Sequence, residues 1–151
     1  YEVLHYVTFV QKGNNEIGGS STEEILKSLH GKKVGVQTRG HIFQVLRDIR
    51  EINLIEYPTT TKALAALNKG LLDAVPDVKR IGIYYSNLNS WDIVPVGEPI
   101  ISYKVTTAFS KAHEKSLINR YNKALKKLQD NGRVEALYKL YFGPMGDDAK
   151  P

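Results

Sequence analysis

Over residues 34–96, short apolar runs of strand type alternate with apolar residues at helical spacing, and few folds accept that order. Val34-Gly35-Val36 reads as a strand, Gln37-Thr38-Arg39-Gly40-His41 as a loop, and Ile42, Val45, Leu46 and Ile49 as one face of a helix. Leu54-Ile55-Glu56-Tyr57 is the next strand. Pro58-Thr59-Thr60 leads into a helix carrying Ala63, Leu64, Ala66 and Leu67, which stops at Lys69-Gly70. Leu71-Leu72-Asp73-Ala74-Val75 is a further strand candidate and residues 78–85 a helix. Ile93-Val94-Pro95-Val96 is a strand that its proline moves toward a sheet edge. The expectation is an α/β fold with a mostly parallel sheet flanked by helices. In such sheets ligands bind at the loops following the strands, here residues 37–41 and 76–79.

Two flanks complete the pattern. Residues 1–10 are rich in aromatic and β-branched side chains and stop at Lys12-Gly13-Asn14-Asn15, so the chain opens on a strand. Ser21-Thr22-Glu23-Glu24 has capping-box spacing ahead of Ile25, Leu26 and Leu29, which predicts a short helix ending at His30-Gly31. Beyond a strand at residues 104–109 the pattern is helical only. Leu117, Ile118, Tyr121, Leu125 and Leu128 share one face, Asn131-Gly132 interrupts, and Val134, Leu137, Tyr138 and Tyr141 form a second helix. Residues 144–151 read as a loose tail.

Several function classes lose support on composition. The 151 residues, 42% of them hydrophobic, suffice for one core. The net charge of +5 is spread along the chain with acids interspersed, which points to a solvated basic surface and no nucleic-acid partner. Without cysteine there is no thiolate nucleophile, disulfide or zinc–cysteine site. His5, His30, His41 and His113 lack paired metal-ligand spacing, so no metal site is expected, and Gly18-Gly19-Ser20-Ser21 lacks the lysine of a phosphate-binding loop. No stretch reaches the ~20 apolar residues of a membrane span. The first residue is Tyr1, which implies a processed product or a fragment whose start lies upstream.

The order of elements carries a run of recognisable words. Gly31-Lys32-Lys33-Val34-Gly35-Val36-Gln37, residues 3–13 ending in Phe9-Val10-Gln11-Lys12-Gly13, residues 63–75, Val96-Gly97-Glu98-Pro99 and residues 124–143 together resemble the type II periplasmic solute-binding proteins of the amino-acid type. The resemblance covers residues 1–143. It implies residues 1–13 as the first hinge strand, 14–103 as the second, ligand-gripping lobe, and 104–143 as the second hinge strand with the C-terminal helices of the first lobe. It also implies that an N-terminal segment building most of the first lobe stands upstream in family members. A chain lacking it is expected to leave the C-terminal helices without a sheet, to self-associate through them, and to bind ligand weakly.

In the family, the loop after this strand offers backbone N–H groups and a hydroxyl to a ligand carboxylate; here it is Thr38-Arg39-Gly40-His41, following Gln37. Gly40 and Thr38 keep a permissive backbone and a hydroxyl, Arg39 adds a bidentate donor for an anion, and His41 is a group that can titrate. The plainer alternative is a solvated Arg39 and a surface His41. Family members also carry an acid shortly after the Asp-Ala-Val word to pair with a ligand ammonium. Asp77 is the counterpart, one position earlier, with Val78 in the family acid's place, and its plainer alternative is a helix cap. Tyr84, Tyr85, Trp91 and Tyr103 are core or rim aromatics that could also wall a site.

The resemblance implies an extracytoplasmic or periplasmic module that grips a small polar, anionic or amino-acid-like ligand for a membrane permease or a receptor. Neither a cofactor nor catalytic residues are expected. Two other classes share the fold: enzymes of dehydratase or peptidoglycan-acting type, which need an acid–base pair for which only Asp77 and His41 are available, and effector domains of transcription regulators, whose helix-turn-helix is absent from this sequence.

Overall fold

In a computed structural model, residues 2–112 and 115–142 are described. The tail at 144–151 and His113 lie outside them. The chain divides into two compact units, Leu4–Tyr103 and Tyr1–Val3 with Lys104–Pro151.

In the larger unit, strand β1 (Glu2–Gln11) ends in a turn where Gly13 takes a φ of +89° and the Asn14 amide donates to the Gln11 carbonyl at 3.0 Å. Helix α1 (Thr22–Ser28) starts as its sequence dictates: the Ser21 hydroxyl accepts from the Glu24 amide at 3.3 Å. Glu24 reaches back one residue further than a simple capping box would, to the Ser20 amide and hydroxyl at 2.7 and 2.9 Å. Strand β2 (Lys33–Gln37) pairs in parallel with β3 (Asn53–Tyr57), Lys33 opposite Asn53 and Gln37 opposite Tyr57, with helix α2 (His41–Leu46) between them. A parallel bridge from Val34 to Ala74 extends this parallel pairing. Helix α3 (Thr60–Asn68) is capped by the Thr59 hydroxyl.

Strand β4 (Val75–Val78) stands a few residues later than the sequence pattern indicates, and helix α4 (Lys79–Asn89) begins one residue later than expected and runs on past residue 85. The reason is tertiary: residues 75–78 pair antiparallel with β1, Phe9 facing Val75 and Tyr6 facing Val78, so Pro76 and Asp77 are drawn into the sheet. Strand β5 (Ile93–Val105) continues without a break from the segment read at 93–96, with Gly97 at φ +67°, and ends at Val105, so the strand expected at 104–109 is not formed beyond its first two residues. Strand β5 lies at one edge of the sheet β4-β1-β5, where its Pro95 is tolerated.

Two apolar clusters flank these strands. Ile25 and Leu29 of α1 and Ile42 and Leu46 of α2 pack with Val10, Val34 and Val36 on one side. Ala63, Leu64, Ala66 and Leu67 of α3 pack with Val7, Phe9 and Val75 on the other, joined by Ile83 and Tyr85 of α4. Helices therefore cover both faces, which is the expected layering for strands buried on two sides.

The smaller unit holds α5 (Lys115–Asp130) and α6 (Arg133–Phe142), separated at Gly132 with φ +72°. Phe109 meets the Tyr121 ring at 5.2 Å and Thr107 bonds the Tyr121 hydroxyl at 2.6 Å. No residue of α5 is buried. Among the described residues no helix is long and apolar enough to cross a membrane.

Candidate functional site

The loop after β2 is shaped by three backbone bonds. The Thr38 amide donates to the Tyr57 carbonyl at 2.9 Å, extending the β2–β3 ladder by one residue. The Gly40 amide donates to the Gln37 carbonyl at 2.8 Å and closes a tight turn, and the Gln44 amide donates to the Gly40 carbonyl at 3.3 Å as α2 begins. The left-handed position of this turn is Arg39, with φ +55°, while Gly40 is extended at φ −65°. The expectation of a permissive backbone at Gly40 therefore needs revision. Glycine is required there by contact, because a Cβ would stand 2.9 Å from the Gln37 oxygen, and the conformational strain falls on Arg39. A non-glycine residue held left-handed costs on the order of 1 kcal/mol or more and is concentrated at functional sites. The Thr38 and Gly40 amides are both committed within the protein, so neither is open to a ligand carboxylate.

Asp77 sits on β4 opposite Val7 and is only 8% exposed. Its Oδ1 accepts from the Val78 amide at 2.6 Å, and its Oδ2 has no hydrogen-bond partner. It does not cap α4, whose cap residue is Val78 and which has no side-chain cap bond. Burial pushes the Asp77 carboxyl above its ordinary range, opposed by the Val78 amide and the Thr60 hydroxyl.

Thr60, the first residue of α3, also donates to Gln37 Oε1 at a long 3.4 Å. Gln37 and Asp77, from two different strands, thus both lie near the Thr60 hydroxyl, whose proton goes to Gln37. On β1, Tyr6 has its phenol pushed up first by burial, then by the charge of Asp77, then by Tyr103. The Tyr6 ring lies 6.1 Å from Tyr103 and 5.9 Å from His41, and His41 meets Tyr103 edge to face at 4.3 Å. Six residues from β1, β2, α2, α3, β4 and β5 therefore form one linked group: Tyr6, Gln37, His41, Thr60, Asp77 and Tyr103.

Of the residues expected from sequence, Gln37, His41 and Asp77 join this group. Thr38 and Arg39 are exposed and lie outside it, and among the described residues Arg39 has no ion-pair partner. Tyr85 and Trp91 pack against the α3 cluster, and Tyr84 pairs with Tyr85 at 5.4 Å, so these three aromatics serve packing. Tyr6 and Thr60 were not legible as site residues. Tyr6 reads as one more strand aromatic and Thr60 as helix lead-in, and only the β1–β4 pairing and the β2–β3 register bring them to Asp77.

No protein-family model matches the chain. Solved structures match it well. A probable amino-acid ABC transporter extracellular-binding protein from Bacillus subtilis superposes with a TM-score of 0.76 over 98% of this chain and 62% of its own, at 21% identity. A histidine kinase sensor domain with similarity to periplasmic binding proteins gives 0.69 over 95% of this chain and 60% of its own, at 23% identity. An ancestral arginine-binding protein bound to arginine gives 0.62 over 95% and 62%, at 27% identity. The chain thus spans 60–62% of the length of these structures, and its fold is that of the type II periplasmic solute-binding proteins of the amino-acid type.

Proposed function

We propose that this chain is a ligand-gripping, extracytoplasmic solute-binding module and not an enzyme, and that it holds a small amino-acid-like solute for a membrane permease or a receptor. The observation that carries this reading is the Asp77 carboxyl, nine-tenths buried with Oδ2 unbonded. A buried acceptor left open costs free energy unless a partner arrives, and a ligand ammonium is a suitable one. The Tyr6 and Tyr103 rings add apolar and quadrupolar surface beside it, which favours a cation. Arg39, held left-handed and exposed at the end of β2, supplies a donor for the opposite, anionic end of the same ligand. Related folds bound to arginine and to glutamine make these two amino acids the first probes. The α-ammonium and α-carboxylate that they share are the groups Asp77 and Arg39 would meet.

Isothermal titration of the 151-residue chain with L-arginine, L-glutamine and L-glutamate tests this. At least one is expected to bind. Arg39→Ala should then weaken it by at least ~1.5 kcal/mol, the lower end for a hydrogen bond to a charged group, and Asp77→Asn by a similar amount or more. Wild-type affinity in both variants would remove these residues from the site, and no heat with any of the three would refute an amino-acid-like ligand.

A further inference from the structure

Among the described residues, Asp77 has no ion-pair partner. The groups whose side chains define its surroundings, Gln37 and Thr60, are neutral, and Tyr6 is a phenol. Other titratable or charged groups on the surrounding elements are Arg39 and His41 at the start of α2, Lys62 on α3, Lys79 and Arg80 on α4, and Tyr103 on β5. None of their charges ranks among the causes that move the Asp77 carboxyl. The fold thus places a carboxyl in a nearly dry setting with one oxygen unbonded, where burial favours the neutral acid.

From this cluster we infer that the site exchanges one cation for another: a ligand ammonium enters beside Asp77 as the carboxyl gives up its proton. The step balances simply. The carboxyl O–H bond breaks, the proton passes to buffer, and the ammonium takes its place, so the buried region carries no added net charge. The exchange rests on the reading of Asp77 as the ammonium partner and adds to it a direction of pH control. The raised carboxyl supports that direction: a cationic ligand competes with the proton below the empty-site value and meets no competition above it. Affinity therefore rises with pH, by up to about tenfold per pH unit below that value, and is flat above it.

The experiment is isothermal titration with L-arginine and with L-glutamine from about pH 4 to about pH 8, in buffers of differing ionisation enthalpy. The expected result is release of up to one proton per bound amino acid on the acid side, fading toward neutral pH, and loss of that release in Asp77→Asn. Binding that is weakened by Asp77→Asn while wild-type heats are independent of buffer and affinity is flat with pH would overturn the exchange and leave the ammonium contact standing. Proton uptake on binding would overturn it as well. Binding unaffected by Asp77→Asn, or no binding of either amino acid, would sink the underlying contact and the exchange with it.

Discussion

A residue placed at the expense of the fold is recognisable by what it costs, and Asp77 is the clearest among the described residues. Its carboxyl is buried with one oxygen unbonded and is raised chiefly by loss of solvent. For an acid raised in the folded state, the neutral form is the one folding favours. Its contribution is fully present below the unfolded-state value and is lost as pH rises through the folded-state value. Asp77→Asn removes that loss. The variant is expected to track wild type in acid and to gain on it as pH rises toward neutral, measured by thermal unfolding across the range. A wild-type protein that instead gains on the asparagine variant with rising pH would mean that a cation pairs with Asp77 in the empty protein. Arg39 shows the same tension in backbone form, since its left-handed conformation is one that glycine adopts freely.

At the scale of elements, close approach fixes how α4 lies on the sheet. A Cβ at Gly82 would overlap the ring of Phe9, which is fully buried on β1. Two effects compete in Gly82→Ala. Helix propensity favours alanine by about 1 kcal/mol, and overpacking a fixed ring costs about 1–3 kcal/mol. Phe9 is enclosed by Leu64, Leu67 and Val75 and cannot turn aside, so the packing cost wins and a net loss of about 1–2 kcal/mol is expected from the urea midpoint. An unchanged or raised midpoint would show that α4 shifts to admit the methyl group. Such contacts also mark what could be read from sequence. The helices at Ser21 and Thr59 were legible because their caps are local, and so were the stops at Gly70 and Gly132, both left-handed in the structure. The shift of β4 to residues 75–78 was not, because it depends on a partner strand some seventy residues earlier in the chain. The course of β5 was not, because it continues past residue 96 through Gly97 and Pro99 and stops at Val105, where the run at 104–109 suggested a strand of its own. The site divides along the same line. Gln37, His41 and Asp77 lie where the sequence pattern puts the ends of strands and could be named in advance as candidates, although Asp77 falls inside β4, whereas Tyr6 and Thr60 come near Asp77 only through the packing of β1 and α3 against β4.

For the molecule as a whole, burial is unevenly shared between the two units. The buried apolar residues, from Val7 to Ile100, all fall within Leu4–Tyr103. In the C-terminal unit α5 buries nothing, and Leu117, Leu128, Leu137, Leu140 and Tyr141 are exposed, Leu140 by 73%. Its charged face is well served by the pairs Lys126–Asp130 and Glu135–Lys139, each one helical turn apart, but such exposed pairs contribute only about 0.3–0.5 kcal/mol each. They cannot offset the exposure of five large apolar side chains, which at about 25 cal/mol per Å² of apolar area would together gain several times as much on burial. Soluble monomers rarely leave such a patch open. The 151-residue chain is therefore expected to show, by light scattering, a mass above that of one chain that rises with concentration. Leu128→Glu with Leu140→Glu should return it toward the mass of one chain, since both side chains are exposed and their replacement leaves the buried clusters intact. A wild-type chain that scatters as a monomer at every concentration, and binds no apolar dye, would show that these helices cover their own apolar faces in solution.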